Sequence, residues 1–118
     1  MSEQPRTAMP ITSLTTTAGE ELAQARQAPA RRASRTVYGG HEHALRQTVI
    51  ALVGGTSLAE HSNPGEATVQ VLAGRVRTTA GEDAVEAGPG DLMVVPDARH
   101  ALEALEDAVV LLTVAKRV

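Results

Sequence analysis

Four histidines carry most of the chemistry this chain can offer, at positions 41, 43, 61 and 100. His61 and His100 lie 39 residues apart, and each stands where a turn cluster gives way to an apolar run. In an antiparallel barrel two such positions can meet at one mouth. Neutral imidazole is the commonest transition-metal ligand, so a converging pair is the smallest unit of a metal site. His41 and His43 precede the first strong apolar run in Gly39-Gly40-His41-Glu42-His43. On a strand both rings would share a face, which suits ligands; an exposed pair ahead of the strand is the alternative. Other chemistries lack their residues. There is no cysteine, which removes disulfides, thiolate nucleophiles and thiolate zinc sites. Lys116 is the one lysine, so Schiff-base and Walker-loop chemistry have little to use. Ser62 sits beside His61 on the opposite parity, so a serine–histidine–carboxylate arrangement does not assemble.

The elements that would position these rings are short strands. Runs rich in Val, Leu and Thr span 45–53, 68–72, 74–79, 84–86, 91–95, 100–105 and 108–115. Gly54-Gly55, Asn63-Pro64-Gly65, Gly81-Glu82-Asp83, Gly88-Pro89-Gly90 and Pro96-Asp97 separate them. That spacing predicts an all-β fold, an antiparallel sandwich or small barrel. Ahead of it, residues 1–12 hold Pro5 and Pro10 and read as a disordered lead-in. Residues 13–36 read as a short helix and a basic linker. Thr17 and Glu20 offer a capping box, and Pro29 marks the helix end. Ala18, Leu22 and Ala25 make a thin apolar stripe, and Arg31, Arg32 and Arg35 make the linker. Residues 37–118 form the single barrel domain. Its last run is apolar on both parities, so both faces need cover. One looks into the barrel; the other needs the helix or a second subunit, and a homodimer is expected.

Composition narrows the partners. Tyr38 is the only aromatic ring, which excludes aromatic cages and base-stacking platforms. Residues 1–36 carry five arginines against three glutamates, whereas residues 37–118 carry six basic and eleven acidic side chains. An acidic body is unsuited to gripping a phosphate backbone directly. No apolar run reaches the roughly 18 residues of a membrane span, and no signal core opens the chain. A cytoplasmic address is expected.

The spacing around His61 and His100 resembles the cupin family, whose first motif reads Gly, five residues, His-x-His, three or four residues, Glu, six residues, Gly. Here Gly55 is followed by five residues, His61-Ser62-Asn63, three residues, Ala67, six residues and Gly74. The second motif, Gly, five residues, Pro-x-Gly-x-x-His and then Asn, resembles Gly90, five residues and Pro96-Asp97-Ala98-Arg99-His100. The resemblance covers residues 45–115 and implies a cupin-type jelly-roll barrel behind the N-terminal helix.

Cupins with the full motif hold a divalent metal through three histidines and a glutamate. By that resemblance His61 and His100 stand at ligand positions, Asn63 replaces a histidine as a weak ligand, and Ala67 replaces the glutamate. The loop before His100 lacks the family's glycine and is one residue shorter, and Ala104 stands where the closing asparagine belongs. Two imidazoles and an amide would hold a divalent transition metal weakly.

The resemblance also turns position 67 inward, which puts Ala67, Val69 and Val71 on the cavity side. An inward His100 brings Leu102 and Ala104 with it. The expected pocket is then Val69, Val71, Met93 and Leu102, rimmed by Asn63, Arg46 and Gln47. It suits a small, mostly apolar molecule; alternatively these side chains simply fill the barrel. Three functions follow: a metal-light cupin binding a small molecule, a metal-dependent isomerase or oxygenase using His61 and His100, or a regulator acting through a DNA-binding partner. Without metal, the second has only imidazoles for acid–base work.

Overall fold

A computed structural model of the protein describes residues 9–61 and 65–116. The chain opens with α1 (Leu14–Gln27) and continues as β1 (Arg32–Gly39), β2 (Leu45–Leu52), β3 (Ser57–His61), β4 (Gly65–Ala73), β5 (Val76–Ala80), β6 (Asp83–Ala87), β7 (Leu92–Val94), β8 (His100–Ala104) and β9 (Ala108–Lys116). Two antiparallel sheets face each other, ordered β1-β2-β9-β4-β7 and β3-β8-β5-β6. This is the expected all-β sandwich with a leading helix.

Alternation along the strands builds the layer between the sheets. Leu52, Val71, Val76, Ala104 and Val110 are fully buried there, and Ala67, Val69, Leu102 and Val114 join them. The opposite parity of β2 and β9 supplies Val49, Ala51, Val109 and Leu111 to a second cluster, closed by Ala18 and Ala25 of α1. The helix is therefore the cover that the doubly apolar β9 required. A second subunit is no longer needed for that purpose.

Three local expectations are corrected. The N-cap is Ser13, whose Oγ accepts the Thr16 N–H at 3.1 Å. Thr17 lies inside the helix, buried, with its hydroxyl donating back to the Ser13 carbonyl at 2.9 Å. The supposed basic linker is instead mostly β1, an edge strand paired with β2. Its Ala33 and Val37 face the helix, while Arg35 reaches Glu20 at 3.0 Å and Glu21 at 2.8 Å. Charge on a strand that must not recruit another strand is a common edge device. Strand β3, polar in sequence, was not anticipated. The lead-in over residues 1–12 lies largely outside the described residues.

Gly74 shows why the first motif closes on glycine. Its φ is +75°, and a Cβ there would collide with the Asp107 carbonyl and Ala108. The β4–β5 turn and the start of β9 thus meet backbone to backbone.

Candidate functional site

Residues 61 and 100 are brought together as the spacing suggested. They are register partners across β3 and β8, after an irregularity between Leu58 and His61. His100 is buried at 6% exposure, on the same inward parity as Leu102 and Ala104. Its Nδ1 lies 2.9 Å from the Ala98 carbonyl. A carbonyl can only accept, so Nδ1 donates to it. The shortened loop before His100 supplies this contact. Asn63 lies outside the described residues.

Next to His100 a cavity of about 270 Å³ opens between the sheets. Val69, Met93 and Leu102 line it, together with Ile50, Leu58 and Leu112, which the sequence does not assign to it. The other lining expectations are corrected. Val71 faces inward but is fully buried in the core and does not reach the cavity. Arg46 sits opposite Gly39 and Val114, away from the lining. Gln47 has the parity of Val49 and bonds Thr113 at 3.2 Å, which puts it on the outer face of its sheet. A slip of one position along a strand reverses the face.

The lining holds few polar groups. Thr78, on the inward parity of Val76, donates its hydroxyl to Met93 Sδ at 3.6 Å. This residue was missed, although the parity of β5 was sufficient to find it. Asp83 is the lining carboxylate, exposed at the start of β6. Val85, opposite Thr78 in register, is 55% exposed. Among the described residues, the lining contains no lysine or arginine.

His41 and His43 stay out of this cavity. Both are exposed, and the His43 ring meets Tyr38 edge-on at 5.4 Å. Lys116 Nζ donates to the carbonyls of Gly40 and His41, at 3.1 and 3.0 Å, tying this loop to the end of β9.

The donor set does not fit a four-ligand metal. Ala67 is 5% exposed in the inter-sheet core and offers a methyl group where the motif calls for a carboxylate. Among the described residues, no three His, Cys, Asp or Glu side chains gather where they could hold an ion.

A two-sheet jelly roll, here with an inward histidine and a cavity between its layers, is one of the few antiparallel architectures that manage their sheet edges. The sequence matches the Cupin domain family over residues 48–115, more than half of the chain, and the chain belongs to that family. It is similar in structure to a conserved protein of unknown function from Streptococcus pyogenes, with a TM-score of 0.69 and 32% identity over 77% of this chain and 79% of that one. A cupin 2 conserved barrel domain protein from Leptotrichia buccalis gives a TM-score of 0.66 and 28% identity over 72% of this chain and 41% of that one. A cupin superfamily protein from Desulfitobacterium hafniense shares the fold at a TM-score of 0.67 and 17% identity, covering 73% and 78%. Among curated proteins there is no match. No described helix is long and apolar enough to cross a membrane.

Proposed function

We propose that this cupin is a binding protein that takes a small, mostly apolar molecule between its sheets, without a tightly held metal. The observation that carries this reading is the contrast between cavity and ligand set. An aliphatic cavity of about 270 Å³ persists beside His100, while position 67 presents alanine to the core. Water gains little in such a space, because it needs two to four polar partners to be held there. An apolar molecule loses unfavourable hydration on entering it.

Elemental analysis of protein purified without chelator, alongside His61→Ala and His100→Ala, tests the reading. Sub-stoichiometric metal in the parent is expected. Near-stoichiometric metal that disappears in both variants would overturn the reading in favour of a metal-dependent isomerase or oxygenase.

A further inference from the structure

We infer that the molecule taken up is small and uncharged, and turns a single hydrogen-bond donor inward to the Thr78 hydroxyl after passing between β6 and β7. The inference rests on the binding reading above and adds size, charge, orientation and route.

Size follows from the volume. At about 270 Å³ the cavity lies just below the usual range of ligand pockets, about 300–1,000 Å³, so the molecule is small. Route follows from the sheet edges. Strands β6 and β7 each end their sheet, and both border the cavity. Val85 lies on the inward parity of β6, opposite Thr78, yet is 55% exposed; Val94 of β7 is 79% exposed. An inward-facing valine that remains wet marks a gap between the sheets. An apolar molecule can slide through this gap without dehydrating a charge.

Orientation follows from Thr78. Its hydroxyl hydrogen is directed at a thioether 3.6 Å away, a weak acceptor, and the oxygen keeps lone pairs for a donor from the molecule. Charge follows from what surrounds it. An anion would pass Asp83 and then meet, among the described lining residues, no lysine or arginine. A cation seated deep at Thr78 would lose its hydration at a neutral hydroxyl, because Asp83, the lining carboxylate, is exposed at the start of β6. Held outside at Asp83 instead, it would gain only a solvent-screened surface attraction, which is small.

Methyl-detected NMR titrations of the full chain with 2-cyclohexylethanol, 2-cyclohexylethylammonium and cyclohexylacetate test this, since the three share a hydrocarbon and differ in the polar group. The alcohol is expected to shift Val69, Met93 and Leu102 saturably and to bind about tenfold more tightly than either ion. Thr78→Val, of nearly the same shape, should weaken the alcohol about five- to tenfold, the loss of one hydrogen bond. Gln47→Ala, on the outer face, should leave it unchanged. Val85→Trp, at an exposed edge, should slow its association. Equal or tighter binding of an ion, or unaltered binding by a folded Thr78→Val protein, would overturn the inference and leave the binding reading standing. An association rate unchanged by Val85→Trp would overturn the route. Failure of all three probes to saturate would bring down the binding reading itself.

Discussion

Position 67 sets what His100 can do. Ala67 pairs with Val114 and shares the inter-sheet layer with Val69 and Val71, so a side chain placed there enters hydrocarbon. A glutamate would bury a carboxylate in a layer that Val69, Val71 and Val114 make apolar. Burial without a partner penalises the charged form heavily. Ala67→Glu is therefore expected to lose about 2–4 kcal/mol of stability at neutral pH, read from denaturant unfolding. A loss below about 0.5 kcal/mol would show polar surroundings at this position. The same logic bears on metals. With only two imidazoles and an amide to offer, the parent's thermal midpoint should not move on adding excess zinc or nickel. A rise of several degrees that His100→Ala abolishes would contradict this. Both histidine positions were legible because the motif frame fixes spacing. Val71 was misplaced because parity tells which face a residue takes but not how deep along the strand a cavity ends.

At the scale of elements, the N-terminal segment matters as a cover. Helix α1 lays Ala18 and Ala25 against the outer face of β2 and β9, and Ala25 is fully buried there. Alanines let the helix sit close to the sheet, so a larger side chain must push it away. Ala25→Leu should cost about 1–3 kcal/mol in urea unfolding, and a neutral or stabilising result would show slack beneath the helix. Removing residues 1–27 would uncover Val49, Ala51, Val109 and Leu111 together. That truncated chain is expected to bind a hydrophobic dye strongly or to aggregate, whereas a soluble, dye-silent product would show that the cover is dispensable. The need for a cover was readable in the doubly apolar run 108–115. Strand β1 was not, since Arg31, Arg32 and Arg35 resemble a solvated linker in one dimension. Only the fold places Glu20 and Glu21 opposite Arg35 and so makes a strand of it. The N-cap slipped by four residues for a related reason: Ser13 and Thr17 have the same chemistry, and the turn that decides between them depends on where the helix meets the sheet.

Across the whole molecule, Asp107 joins three parts of the chain that are distant in sequence. Its Oδ1 accepts the Gly54 N–H at 2.9 Å, and its Oδ2 takes the Arg26 guanidinium at 2.9 and 3.1 Å. The end of α1, the β2–β3 turn and the β8–β9 turn are held at one point. No motif marks this residue, because its partners are assembled only by the packed fold. The Gly54 N–H above all, and then Arg26, hold its carboxyl below the usual aspartate value. A group depressed in the folded state adds stability above its unfolded pKa and loses that contribution as pH falls through the folded one. The unfolded value is about 3.9, so the loss falls in the acid limb below about pH 4. The salt bridge is exposed to solvent, so the effect is modest. Glu86 is also held low, by Arg77 first, and adds to the acid sensitivity of any single protein. Comparing the parent with Asp107→Asn removes that shared background. The stability difference between the two, measured by urea unfolding, should stay constant from about pH 7 to 5 and close as pH drops toward about 2. A difference that persists unchanged into acid would mean that the carboxylate's charge contributes nothing and that the loss comes from the amide group itself.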